Sequence, residues 1–313
     1  MKGRNILYSF IITDVITLMY NFIDMPIKDN WIDEFNKDLV KYLDICGGRL
    51  CYSSKTESML AVIDELVERG TVDAQSLAIR FSYSLRIAYD VRSYSIISSA
   101  VVRLIRMGIP WDEAVKEVNM KYNLPDDECV LRSTPIAIYF KDLNEVLVNS
   151  ERQALATHLH PISIEASKIY SFSLFNVMHG LSPHELLNVL ISKIKYEERS
   201  LALRIKILAK LLNKKPKDVV KVLGNGSLAH SSIPTALYCF IRSEGDPTKA
   251  LLCSISLGGS VSGRAIMAVT LATAFSDTKP LFIKDILEYV ENYELITSKI
   301  DNFLNIVRNL HHV

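Results

Sequence analysis

Apolar residues recur along this chain at the three- and four-residue spacing of α-helices. Residues 56–68 (TESMLAVIDELVE) place Leu60, Ile63, Leu66 and Val67 on one stripe, and Gly70 stops the run. Ser54 with Glu57 reads as a capping box for that helix. Residues 98–107 form a second stripe ended by Gly108, and Pro110-Trp111-Asp112-Glu113 opens the next helix with acids in its first turn. Ser182-Pro183-His184-Glu185 is a start signal with a capping serine, proline at the first helical position and glutamate at the third. Asp246-Pro247 repeats that logic and predicts a helix to Leu257, with Gly258 just past its end. Ser260 or Ser262 then caps a helix over about 264–275, and residues 283–310 read as two more helices. Only residues 130–140 (VLRSTPIAIYF) have a strand-like flavour, and Pro135 argues against a central strand there. With no repeat, linker or low-complexity run, the pattern predicts one compact all-α domain over residues 1–313, its helices packed around a central set.

The first apolar run, residues 6–23, approaches the length of a minimal membrane span and follows Lys2 and Arg4. Asp14 lies in its middle, and a carboxylate at the bilayer centre costs roughly 3 kcal/mol. The expectation is a buried helix that points Asp14 into a site inside the fold, with no membrane contact. Composition agrees: 49% of residues are hydrophobic and 23% charged, as in an ordinary globular chain. Thirty-six basic against 35 acidic residues leave no field to grip nucleic acid. The lysine-rich stretch at 206–221 reads as a solvated helix face and turn. Five scattered cysteines without a CxxC pair predict reduced thiols in a cytoplasmic protein. Glutamine occurs only at Gln75 and Gln153, a faint thermophile signature.

Chemistry is sparse. His158 and His160 stand two apart in THLHP, yet no partner ligand lies near them in sequence, so a single histidine bonding a ligand or the core is expected. His311 and His312 look like terminal residues. The chain has no nucleophile elbow, phosphate-binding P-loop, H-E-x-x-H or dinucleotide fingerprint.

The order of short segments carries more. The stretch Thr13-Asp14-Val15 is followed by Ser53-Ser54-Lys55-Thr56-Glu57-Ser58, Val91-Arg92-Ser93-Tyr94-Ser95, LIRMGIPWDEA at 104–114, and Asp127 to Pro135. Then come Thr157-His158-Leu159-His160-Pro161, Ser232 to Phe240, and Gly258-Gly259-Ser260-Val261-Ser262-Gly263. In this order the segments resemble the ADP-ribosylglycohydrolase superfamily, which includes dinitrogenase reductase-activating glycohydrolases and ADP-ribosylhydrolases. The resemblance runs over residues 6–274. It implies an orthogonal multi-helix bundle and cleavage of the glycosidic bond at the ribose of ADP-ribose, assisted by two Mg²⁺ or Mn²⁺ ions.

The resemblance also marks departures. The family's metal-binding T-D-D and D-x-D-T positions match Ser53, Ser54, Lys55, Ser260, Ser262 and Gly263 here, so no carboxylate stands at them. Magnesium needs hard anionic oxygens. A lysine ~4 Å from another unit positive charge costs about 4 kcal/mol at an effective dielectric of ~20. No metal cofactor is therefore expected. Lys55 either replaces part of the missing metal charge or reaches to solvent at a helix start. Ser93, Tyr94 and Ser95 replace the glycines of a phosphate loop, and Asp127 and Glu128 add negative charge beside it. The pocket candidates are Ser93, Tyr94, Ser95, Asp127, Arg132 and His158. Glu57, Asp14 and His158 are the acid–base candidates, with capping the simpler role for Glu57. The resulting expectation is a catalytically inactive pseudo-hydrolase whose metal-free pocket serves an ADP-ribose-like molecule, a protein partner or a scaffold role. The alternatives are an active hydrolase with a rebuilt, metal-independent site, which would also draw on Asp127 and Glu128, and a purely structural or oligomeric protein.

Overall fold

The structure is a computed structural model that describes residues 2–18, 46–88, 92–192, 196–278 and 286–312. Its helices, in chain order, are α1 (Lys2–Leu18), α2 (Ser54–Arg69), α3 (Ala74–Ser84), α4 (Ile96–Arg106), α5 (Trp111–Tyr122) and α6 (Glu128–Leu131). They continue with α7 (Thr134–Tyr139), α8 (Leu143–Leu155), α9 (Pro161–Met178), α10 (Pro183–Ser192), α11 (Arg199–Lys206) and α12 (Leu208–Leu211). The last are α13 (Pro216–Leu223), α14 (Ala229–Arg242), α15 (Pro247–Ser256), α16 (Val261–Ser276) and α17 (Tyr293–His312).

Hydrophobic patterning decides which helices lie at the centre. Every residue of α16 from Val261 to Ala274 is buried, and so is every residue of α1 from Ile6 to Thr17. A helix apolar around its whole circumference can satisfy itself only inside a bundle. Accordingly α16 packs against α1, α14, α15 and α9. Alanines at 265, 268, 272 and 274 keep its girth small enough for neighbours on all sides. Helices with one apolar stripe, such as α4 and α5, pack against each other at the edge.

Start signals are well obeyed. Ser182 and Glu185 form the expected reciprocal box, the Ser182 backbone N–H and hydroxyl both donating to Glu185 Oε2 while the Glu185 N–H donates to Ser182 Oγ. Asp246 caps α15 through the Lys249 N–H at 2.9 Å. Among the described residues no helix is long and apolar enough to cross a membrane.

Several expectations are corrected. Residues 130–140 are the short helices α6 and α7 with no strand pairing, because Pro135 sits in the first turn of α7, where its missing N–H costs nothing. The cap of α2 is Ser53, one residue before the expected serine, with Ser53 Oγ accepting the Lys55 N–H. Helix α16 begins at Val261, before the expected 264, and its capping residue Ser260 makes no side-chain cap bond. The tail holds a 3₁₀ turn, Leu287–Tyr289, and the single helix α17, while 279–285 lie outside the described residues. His311 belongs to α17 and its Nε2 meets the Tyr139 carbonyl at 3.0 Å. The cysteines are not all reduced: Cys46 pairs with Cys51 and Cys239 with Cys253, leaving Cys129 as a buried thiol. Sequence separation hid the second pair, which the packing of α14 on α15 brings together.

Candidate functional site

Two helix N-termini, those of α2 and α16, meet on one side chain of α1. Asp14 is fully buried and its carboxylate is surrounded by donors. Oδ2 accepts the backbone N–H of Ser53 at 2.9 Å, that of Thr56 at 3.3 Å and the Thr56 hydroxyl at 2.7 Å. Oδ1 accepts the hydroxyls of Ser53 at 2.5 Å and Ser262 at 3.4 Å. An anion in this position satisfies the orphan N–H groups of the first turn of α2 and the positive end of its dipole. The sequence placed Asp14 in a site inside the fold, and the structure assigns its oxygens to α2 and to Ser262 of α16.

A second carboxylate lies beside the start of α16. Asp127 is buried, and a Cβ added at Gly263 would come within 2.7 Å of its Oδ2. The absence of a side chain at Gly263 is therefore what admits the Asp127 carboxyl. Burial pushes the Asp127 pKa up to about 7, against the attraction of Lys55 and a Ser232 hydrogen bond and with the repulsion of Asp126 and Glu128. Arg264, one residue on, is also fully buried. Its guanidinium donates to the Ser254 carbonyl at 2.7 Å and the Gly258 carbonyl at 2.7 Å, which end α15. Burial lowers the Arg264 pKa to about 9, and Asp127 opposes that shift.

The turn between α15 and α16 is held from outside. Ser260 N–H donates to the Asn225 carbonyl at 2.9 Å, and the Asn225 amide donates to the Leu257 carbonyl at 3.0 Å. Gly259 has φ +69°, and a Cβ there would meet the Asn225 carbonyl at 2.5 Å. Only glycine fits both the left-handed backbone and the close approach.

Around α2, the remaining site residues form two hydrogen-bonded groups. Glu57 does not cap its helix. It accepts the Arg86 N–H at 2.8 Å, Arg86 Nε at 2.6 Å and the Tyr94 hydroxyl, with Arg92 Nε at 3.5 Å. Burial and the Glu57 charge together push the Tyr94 pKa upward. Burial works against the Arg86 charge, but the hydrogen bond and charge of Glu57 win and raise its pKa. Ser93 faces Ser54, whose hydroxyl lies 3.4 Å from the Ser93 carbonyl, and Ser93 has φ +51°. The loop thus holds a left-handed residue even with serine in place of glycine. Ser95 caps α4 through the Ser98 N–H, and its own N–H donates to Glu128.

The other group runs from Arg132 to Asp126. Arg132 Nη2 donates to the Thr157 hydroxyl at 2.6 Å, and that hydroxyl donates to His158 Nδ1 at 2.7 Å. His158 Nε2 donates to Asp126 Oδ1 at 2.7 Å, which also accepts the Glu128 N–H at 3.0 Å. With Thr157 already accepting from Arg132, its proton is free to face Nδ1, which assigns the proton on the ring to Nε2. Burial would raise the Asp126 pKa, but the hydrogen bonds it accepts from His158 and from the Glu128 N–H more than offset it and hold it low. Arg132 itself is fully buried, stacked over Phe81 at 4.8 Å and bonded to Gln153. Through Thr157 it braces His158 from behind. His160 is separate again and caps α9 by accepting the Ile162 N–H.

Sequence reasoning missed Asp126, Arg86, Arg92 and Arg264. Asp126 stood in view beside Asp127 and Glu128. The arginines carried no local signal, since their partners are 29 or more residues away or are backbone carbonyls.

Comparison with known proteins gives the family. Residues 7–309 match the family model for ADP-ribosylglycohydrolase. A bovine protein, ADP-ribosylhydrolase ARH3, is 25% identical over 262 residues, covering 72% of this chain and 70% of its own. Human ADP-ribosylhydrolase ARH3 is 35% identical over 136 residues, 39% of this chain and 38% of its own. Among solved structures, an ADP-ribosylglycohydrolase-related protein complex shares the fold with a TM-score of 0.70 at 15% identity, covering 98% of each chain. On the match of the family model, which spans nearly the whole sequence, the chain belongs to the ADP-ribosylglycohydrolase family.

Proposed function

We propose that residues 1–313 act as one ADP-ribosylglycohydrolase-like domain that has given up metal-assisted hydrolysis. In this reading it is a cytoplasmic protein whose pocket, between the starts of α2 and α16, takes an ADP-ribose-like molecule without cleaving it. The observation that carries this is the state of Asp14. Its oxygens are already taken by five donors from α2 and α16, which leaves it no lone pair directed at an ion.

The donor chemistry around it does not fit two divalent cations either. Ser53, Ser54, Ser260 and Ser262 offer neutral hydroxyls, and the Lys55 ammonium stands on the same turn as Ser53 and Ser54. Burial pushes the Asp127 pKa up to about 7, which weakens it as an anionic ligand. Among the described residues, the converging set of three His, Cys, Asp or Glu ligand atoms is Cys46, Cys51 and Glu291, and it does not include Asp14. Hard dications are bound by converging, charged carboxylates, whereas Asp14 is engaged by its donors and burial raises the Asp127 pKa. A cytoplasmic setting and two disulfides are compatible in a thermophile, in line with the scarcity of glutamine.

A second reading rests on Asp127. A carboxyl with a pKa of about 7 is poised to give or take a proton at neutral pH, as a metal-independent hydrolase would need.

The deciding experiment incubates the full chain with peptides ADP-ribosylated on serine or arginine, with Mg²⁺ or with EDTA, and measures released ADP-ribose. The proposal expects no release in either, and a thermal shift with ADP-ribose alone. Release stimulated by Mg²⁺ overturns it. Release that is indifferent to EDTA and lost in Asp127→Asn establishes the second reading in its place.

A further inference from the structure

Next to the Asp14 site, the segment entering α2 brings together two cysteines and a carboxylate. Cys46 and Cys51 are partners in a disulfide, and their sulfurs and a carboxylate oxygen of Glu291 all lie within 4.8 Å of one another. We propose that, once reduced, Cys46 and Cys51 together with Glu291 form a binding site for a thiophilic divalent cation of the Zn²⁺ class.

Backbone geometry prepares the site. The spacing is C-x₄-C, within the range found in structural zinc sites. The intervening Gly47 and Gly48 have φ of +62° and +81°, a reversal that turns both cysteine side chains to one side. Glu291 is brought there by a separate device. Leu50 pairs with Val290 in a parallel bridge, with the Leu50 N–H on the Tyr289 carbonyl at 2.8 Å and the Glu291 N–H on the Leu50 carbonyl at 3.0 Å. This bridge does not depend on the disulfide, so reduction leaves Glu291 beside Cys51. The cysteine Cα atoms are 5.7 Å apart, and side-chain rotation opens the sulfurs to the separation of about 3.8 Å that bonds of about 2.3 Å to a tetrahedral ion require. Water fills the fourth position.

Charge balance supports the same assignment. Arg92 is fully buried, with Nη1 on Glu291 Oε1 at 2.6 Å, and Arg86 Nη1 lies 3.6 Å from Glu291 Oε2. Both arginines also pair with Glu57. Two arginines against two glutamates make this group neutral. Two thiolates and one Zn²⁺ add no net charge, so the loaded site preserves that neutrality, whereas a bare dithiolate would not. Glu291 Oε1 is committed to Arg92 and the Tyr52 N–H, which orients Oε2 as the ligand atom.

The redox step is balanced by a dithiol reductant. It transfers two electrons and two protons to the Cys46–Cys51 bond and is itself oxidised to a disulfide. Metal binding then displaces the two thiol protons to solvent.

The test uses the full chain, oxidised or reduced and freed of reductant, titrated with Co²⁺ and then Zn²⁺. The readouts are the thiolate-to-cobalt absorption band and competition against a chromophoric chelator. The reduced protein is expected to bind one equivalent with a band of two-thiolate intensity, and the oxidised protein none. Cys51→Ser should abolish the band, Glu291→Gln should weaken binding by about tenfold or more, and a Cys239→Ser/Cys253→Ser double variant should bind like wild type. Equal binding by oxidised and reduced wild type overturns the proposal, whatever the folding of the variants. So does a band that survives Cys51→Ser, or the absence of any band in the reduced protein.

Discussion

Asp14→Asn is the sharpest probe of how the centre of this fold is tied together. Asparagine keeps the shape of the side chain but has one acceptor oxygen. If that oxygen keeps the Oδ2 place, it holds the Ser53 N–H, the Thr56 N–H and the Thr56 hydroxyl. The amide NH₂ then faces the hydroxyls of Ser53 and Ser262, which can turn and accept. What is lost is the charge on the strong bonds, those at 2.9 and 2.7 Å. A hydrogen bond to a charged group contributes about 1.5–3 kcal/mol and a neutral one about 1 kcal/mol. Over two such bonds the loss is about 1–4 kcal/mol, reduced somewhat because no charge need then be buried. Asp14→Ala leaves two buried backbone N–H groups without acceptors at roughly 1–3 kcal/mol each, and a cavity besides, for about 5 kcal/mol. Urea unfolding followed by circular dichroism measures both, with unchanged m-values showing that stability alone has changed. A further check is coupling. Ser262→Ala should cost about 1 kcal/mol alone and less when combined with Asp14→Asn, because the two residues share a bond. A loss below about 0.5 kcal/mol for Asp14→Asn, the range of ordinary surface changes, would refute the reasoning that Asp14 joins α1 to α2 and α16.

Other outcomes follow from the same geometry. The Asp127 pKa is raised from 3.8 to about 7, so the folded state holds this proton more tightly, and its contribution to stability is present below about pH 4 and lost as pH rises through about 7. Asp127→Asn should therefore gain on wild type between those values, by up to roughly 4 kcal/mol, and a stability difference flat with pH in parallel thermal melts would contradict it. Gly259→Ala must place a Cβ at 2.5 Å from the Asn225 carbonyl with φ +69° and should cost about 3 kcal/mol in urea unfolding. Gly263→Ala crowds Asp127 Oδ2 at 2.7 Å, and its cost should fall when combined with Asp127→Ala, a coupling measured by a double-mutant cycle. The Cys239–Cys253 bond closes a loop with a sequence separation of 14, so replacing both cysteines by alanine should lower stability by about 3 kcal/mol relative to the oxidised protein. Added reductant should then lower the melting point of the double variant by less than that of wild type, because only the short Cys46–Cys51 loop remains to be opened.

Much of the architecture can be read from residue order alone, because its cause is local. The periodicity of residues 56–68 becomes α2, the box at Ser182 and Glu185 starts α10, and Asp246 starts α15. The all-round apolarity of residues 6–17 and 261–274 marks α1 and α16 as central without any knowledge of their neighbours. The family, too, is carried by linear order, since its motifs are short segments in fixed succession. Burial of Asp14 followed from the same reasoning, a charge being set inside an apolar helix. The partners of these groups did not follow. That Asp14 bonds to Ser53 and Ser262 spans 39 and 248 residues of chain. Glu57 looked like a cap and instead holds Arg86 and Tyr94, and the distant Cys239 and Cys253 are joined. The link from Arg132 through Thr157 to His158 was not visible in the sequence either. Helical period and capping are short-range effects of backbone geometry, whereas ion pairs, pKa values and ligand sets depend on which surfaces pack together. For that reason the glycine turn at Gly258-Gly259 is plain in the sequence, but the carboxyl that its helix meets, Asp127 against Gly263, is in place only once α16 is seated in the bundle.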